Sequence, residues 1–223
     1  MTLPFTAAQF LDVFRRYNEG VWPTQPILVL VAIGAIVGAA KGRSRLVSAI
    51  LALLWAWTGV AYHLVFFRTI NPAATMFAAL CLMQALLFLR MGVMRENLVF
   101  SLRQHWSAWV GALMIAYALI AYPLIGAGLG HAYPYSPTFG APCPTTIVSF
   151  GFIMWLKPPR PRAVVVLPAV WAALGLSAAL QLGMWEDFGL TAAAVVAVID
   201  TLVRSGTGTP IVTEATHLRS ASR

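Results

Sequence analysis

A chain of 223 residues that is 60% hydrophobic and only 10% charged departs from the roughly 45–50% apolar and about 25% charged make-up of soluble domains, which excludes a soluble fold. Its formal net charge is +8, but the basic residues stand in small clusters between apolar runs and form no long stripe. That pattern argues against nucleic acid as a partner and points to membrane orientation instead. An all-α, polytopic transmembrane bundle in a lipid bilayer is predicted.

Residues 1–22 predict an amphipathic interfacial helix and not a secretory signal peptide, since no basic stretch leads directly into an apolar run with a small-residue cleavage site. Thr6 and Gln9 have the spacing of a capping box, and Phe10, Phe14, Tyr17 and Val21 recur opposite Asp12, Arg15, Arg16 and Glu19. Such a helix is expected to lie along a membrane surface. Residues 23–204 form the expected bundle, with seven apolar segments at about 26–40, 46–67, 72–89, 106–129, 144–156, 163–183 and 188–203, by the long-apolar-run criterion. The second, fourth and sixth are long enough to cross at about 1.5 Å per residue. The first, fifth and seventh are short, which suits half-buried, re-entrant or loop-extended segments. Residues 205–223, rich in Ser, Thr and Gly, read as a disordered cytoplasmic tail.

Within the segments, Asn71-Pro72 has the form of an N-cap and first-turn proline. Asp200 stands four residues before Arg204, the spacing of a structural ion pair near the inner surface. Gly34-x3-Gly38, Gly126-x3-Gly130 and Ala179-x3-Gly183 are small-residue faces that suit close helix packing and a homo-oligomer. Of the Lys and Arg residues, alternate connections and the tail hold Lys41, Arg43, Arg45, Arg90, Arg95, Arg103, Lys157, Arg160, Arg162, Arg204, Arg219 and Arg223, and the opposite side holds Arg15, Arg16 and Arg68. The positive-inside rule then puts the amino terminus outside and the carboxyl terminus in the cytoplasm.

On this topology the unusual residues gather on the outer side. The loop 130–146 has four prolines and two tyrosines and is expected to be a stiff cover over the outer mouth. Pro144 is expected at the first helical position of the fifth segment, with Cys143 at or beside its N-cap, where the helix dipole favours a thiolate. Cys81 falls at mid-membrane depth, too far for a disulfide to Cys143. His63 and His131 end and follow outer helix ends, and with Cys143 they are candidate ligands for a transition metal, or the two histidines for haem, although no spacing motif specifies a metal or cofactor. Glu19, Asn71, Thr145, Glu186 and Asp187 are outer-mouth polar candidates, the acids among them able to attract a cation.

No standard hydrolase, nucleotide-binding or dithiol-redox signature occurs, which favours a non-enzyme. The set Trp57-x4-Tyr62-His63-Leu64-x-Phe66-Phe67, Ile70-Asn71-Pro72-Ala73-Ala74, Gly130-His131-x-Tyr133-Pro134 and Pro137-Thr138-Phe139-Gly140-x-Pro142-Cys143-Pro144-Thr145-Thr146 resembles a family of bacterial multi-pass inner-membrane proteins classed as a domain of unknown function. The resemblance runs from Phe5 to about Val203 and implies a bacterial inner-membrane origin and no catalytic role. Two functions are compatible with these features. One is a small transporter or channel with an outward-facing site at the start of the short fifth helix. The other is a membrane-embedded metal-, haem- or thiol-binding redox component.

Overall fold

The computed structural model describes residues 3–102 and 105–206, and over these residues the chain is built of helices joined by short connections. In chain order they are α1 (Ala7–Gly20), α2 (Thr24–Ala40), α3 (Ser44–Thr69), α4 (Ala74–Met94), α5 (Trp106–Gly128), α6 (Pro142–Met154), α7 (Ala163–Leu182) and α8 (Phe188–Gly206). Each of the seven apolar segments is therefore a helix. Four of them, α3, α4, α5 and α7, have the length and apolar composition to cross a membrane, and α1 and α2 meet the same criterion only as one pair bent by 83°. The expected tail beyond Gly206, with Arg103, Arg219 and Arg223, lies outside the described residues.

The helices start and stop where local chemistry requires. Thr6 and Gln9 make the capping box, with Gln9 N–H donating to Thr6 Oγ1 at 3.2 Å and Thr6 N–H to Gln9 Oε1 at 2.9 Å, which satisfies two free donors of the first turn. Asn71 Oδ1 accepts from Ala73 N–H at 3.0 Å; regular helix then begins at Ala74, two residues beyond the expected start. Three long helices change winding along their length, with π-helical turns at Thr58–Phe66, Leu89–Met94 and Tyr117–Ala121. A wider turn swings consecutive side chains less far apart, and Tyr62 and His63 are accordingly both buried.

Helix α6 is the centre of the bundle. At 13 residues it is shorter than a bilayer is thick, and every residue of it except Cys143 is buried, against α5, α7 and α8. Its contact with α5 is backbone to backbone: a Cβ on Gly111 would stand 2.6 Å from the Gly151 carbonyl oxygen, and one on Gly151 would stand 2.5 Å from Ile115 Cγ1. Trp55 Nε1 donates to Ser149 Oγ at 2.8 Å, tying α6 to α3. At the other end of α6, the buried Arg160 donates to the carbonyls of Met154 at 2.7 Å and Leu156 at 3.2 Å. A guanidinium there satisfies carbonyls that the helix end leaves free. Arg160 also pairs with Asp200, whose other oxygen takes Arg204 Nε at 2.8 Å.

The small-residue faces fill their expected role only in part: a Cβ on Gly38 would stand 3.4 Å from Val47 Cγ2 of α3 and one on Gly126 3.3 Å from Glu186 Oε1. Gly130 and Gly183 have φ of +92° and +74°, so they are left-handed turn residues and not packing surfaces, and a Cβ on Gly34 would meet only Ile50, at 4.0 Å. Close approach is tightest at other glycines, among them Gly111 and Gly151 between α5 and α6, Gly92 against Ser48 and Gly189 against Tyr117. Large apolar side chains cover the outside, as on α2, where Ile27, Leu30, Ile33 and Val37 are all exposed along one face. A surface of that kind is suited to lipid.

The connections collect at two ends. At one, Arg45 pairs with Glu96 at 3.3 Å, Lys157 N–H donates to Val99 O at 2.9 Å, and Arg160 meets Asp200. At the other lie the α1–α2 corner, residues 70–73, the loop 129–141 and the α7–α8 connection, joined by the contacts described next.

Candidate functional site

The site begins with Asn18, on the buried face of α1 one turn beyond Phe14. Its Nδ2 donates to the carbonyls of Pro134 and Ser136 at 2.7 and 2.8 Å, its Oδ1 accepts from Thr138 Oγ1 at 2.6 Å, and its carbonyl accepts from Gln25 Nε2 at 2.8 Å. One buried amide thus fastens the proline-rich loop to the α1–α2 corner. Gly140 closes the loop at φ +98°, and a Cβ there would lie 2.6 Å from Leu28 Cδ1 and 2.8 Å from the Tyr17 hydroxyl. Only glycine fits both demands. The backbone turns at this point into α6, which starts at Pro142 with Ala141 as its N-cap, so Cys143 is the second helical residue and Pro144 the third.

Beside that helix start runs a chain of buried polar groups. The short 3₁₀ turn Trp185–Asp187 buries both of its acids. Glu186 Oε1 stands 3.0 Å from His131 Nδ1, and Tyr117 donates to the Glu186 carbonyl at 2.7 Å. Asp187 Oδ1 accepts from the Tyr122 hydroxyl at 2.6 Å, and Oδ2 from the Cys143 thiol at 3.5 Å. Burial pushes the Asp187 carboxyl up to about 7, against the opposing pull of the hydrogen bonds from Tyr122 and Cys143. The Asp187 carboxyl, at hydrogen-bond range of Cys143 Sγ, weighs against the expected thiolate, because the dipole effect favouring one is only about 0.3–1 kcal/mol.

Next to this chain is a cavity of about 450 Å³, within the range of small-molecule sites. Phe5, Phe10 and Phe14 wall it from the amino-terminal side, and Tyr62, Phe67, Phe77 and Trp171 from the bundle. Cys143, Asp187 and Asn71 supply polar atoms, and no Lys or Arg lines it. Leu174, Ser177 and Gln181, exposed along one face of α7, border it, so the cavity opens at the flank of that helix.

Of the sequence candidates, the structure brings together His131, Cys143, Glu186 and Asp187, with Asn71 on the cavity wall. His63 is elsewhere. Its ring is enclosed by Tyr62, Phe67, Phe77 and Trp171, with centroids 5.0–5.9 Å away, and neither ring nitrogen has a hydrogen-bond partner among the described residues. Histidine–histidine ligation is thereby unsupported, and no three His, Cys, Asp or Glu side chains among the described residues are arranged to hold a metal ion. Glu19 is exposed and pairs with Arg15 at 2.8 Å, apart from the two buried acids, so the three do not form one acidic mouth. Thr145 is buried in α6, and its hydroxyl has no partner among the described residues. Sequence reasoning missed Tyr122 and Trp171, which carry no motif. It also passed over the signal in Asn18, an amide on the apolar stripe of an amphipathic helix.

A family model covers nearly all of the described chain: residues 7–208 match the family of unknown function DUF6064, and the chain belongs to that family. None of the curated proteins and none of the solved structures matches it.

Proposed function

We propose that the chain is a small transporter of the bacterial inner membrane, with its amino terminus outside and its carboxyl terminus in the cytoplasm, and that its outward-facing cavity receives a small, mainly apolar molecule. The observation that carries this reading is the aromatic cavity at the start of α6, with a buried carboxyl and a thiol in its wall. All seven apolar helices cross or enter the bilayer in this reading. Helix α1 lies along the outer surface, where Phe10 and Phe14, with Phe5 just before the helix, close the cavity. The short, enclosed α6 has the form of the half-helices whose amino ends face the binding sites of many transporters.

Binding is tested with the neutral apolar fluorophore N-phenyl-1-naphthylamine and detergent-purified full-length protein. We expect saturable fluorescence enhancement that falls at least fivefold in affinity in Phe14→Ala and in Trp171→Leu, two walls on different helices. Equal binding by wild type and both variants would show that the probe sits in detergent or on the outer surface, and the cavity reading would fail.

A further inference from the structure

Three carboxyl groups are buried among the described residues: Glu186, Asp187 and Asp200. Asp200 has Arg160 and Arg204, and Glu186 has His131. Asp187 alone is held only by neutral donors, the Tyr122 hydroxyl and the Cys143 thiol. The groups that face it are Tyr117 and Tyr122 from α5, Cys143 from α6, Tyr62 from α3, and Glu186 and His131 from the connections. None of these is a fixed cation. A buried carboxylate without a counter-charge is costly, so Asp187 needs either a proton or a cation.

The cavity supplies room for the second. Its walls are aromatic faces, which attract a desolvated positive charge, and it holds no basic side chain that would repel one. A neutral apolar ligand would leave Asp187 unused, and an anion would be repelled once the carboxyl ionises. Resting on the cavity reading above, we infer that the ligand is a lipophilic organic cation and that it exchanges with a proton at Asp187. The protonated carboxyl loses its proton to the outer solution as the cation enters, leaving a carboxylate–cation pair. Return of one proton to the carboxylate cancels the attraction and releases the cation. No other bond is made or broken, and net charge in the cavity is unchanged across the exchange.

The experiment uses tetraphenylphosphonium, whose charge does not titrate, with full-length protein in weakly buffered detergent solution. Calorimetric affinity should tighten about tenfold from pH 6 to pH 8 and then level off, because the proton competes only below the carboxyl's own titration range. At pH 6 a pH-indicator dye should record close to one proton released per cation bound. Asp187→Asn should abolish both the pH dependence and the release, and Asp187→Glu should restore them. If the asparagine variant does not fold, proton release by the wild type decides alone. Binding without proton release overturns the inference, and so does a release that persists in Asp187→Asn but vanishes in His131→Gln. If tetraphenylphosphonium does not bind while N-phenyl-1-naphthylamine still does, only the cation assignment falls. If neither binds, the cavity reading falls with it.

Discussion

Asp187 holds its proton more tightly in the folded chain than in the unfolded one, with its carboxyl raised from 3.8 to about 7 chiefly by burial. The protonated form therefore contributes stability that is fully present below the unfolded value and is lost as pH rises through about 7. At roughly 1.4 kcal/mol per unit, the loss is at most about 4 kcal/mol. The melting temperature of the detergent-solubilised protein should fall between pH 5 and pH 8, and Asp187→Asn should flatten that decline. A melting temperature that climbs over the same interval would mean that the carboxylate, not the acid, is the favoured form. The same contact governs Cys143. At pH 8, where Asp187 is ionised, Asp187→Asn takes away the negative charge that a thiolate would face, so N-ethylmaleimide should modify Cys143 several-fold faster in that variant. Cys81, buried in α4, should stay unmodified in both. Much of this cluster was legible in the sequence because acids, His131 and a cysteine stand out in an apolar chain. His63 stood out equally but is packed behind the aromatic wall of the cavity and not among its polar groups, since residue type alone does not tell which way a widened helical turn points a ring.

Helix positions were legible to within a few residues from apolar run length, because a segment that must satisfy its backbone without water has little choice but to be helical. Which residues let the helices touch was not legible. A small-x3-small spacing marks a face that is able to pack, and only the three-dimensional partner shows whether it does. Here Gly111 and Gly151 meet across α5 and α6, while Gly130 and Gly183 are spent on left-handed backbone. Two glycines of the same chain should thus respond to alanine with opposite signs. Gly140→Ala forces a Cβ into Leu28 and Tyr17 at a φ of +98° and should cost about 1–3 kcal/mol or more. Gly34→Ala adds a Cβ within a helix at ordinary contact distance from Ile50 and should be neutral or stabilising by up to about 1 kcal/mol. Denaturation midpoints of the two variants in the same detergent check the pair, and equal losses would remove the argument. Arg160 was likewise misread from sequence. It counts as a loop charge by position, yet it is buried and holds the carboxyl end of α6, because the carbonyls of Met154 and Leu156 need donors that the short helix cannot supply.

At the scale of the whole molecule, charge and site lie at opposite ends. Lys41, Arg43, Arg45, Arg90, Arg95, Lys157, Arg160, Arg162 and Arg204 belong to the end where Arg45 meets Glu96 and Arg160 meets Asp200. The cavity lies at the end that has Arg15, Arg16 and Arg68, between the loop 129–141 and the α7–α8 connection. Basic connections resist translocation, so the bilayer should hold the first end in the cytoplasm and leave the cavity facing out. A reporter active only in the cytoplasm should be active when inserted after Gly42, and one active only outside should be active when inserted after Tyr135. The two sites test different connections of one topology: α2 must cross inward for the first result, and α3, α4 and α5 must each cross for the second. Cytoplasmic activity at Tyr135 would turn the cavity toward the cell interior, and proton exchange at Asp187 would then draw on the cytoplasmic pool. Opposite activities at the two positions, as expected, would place His131, the partly exposed partner of Glu186, in contact with the outer solution. The direction in which Asp187 gives up its proton follows from that placement.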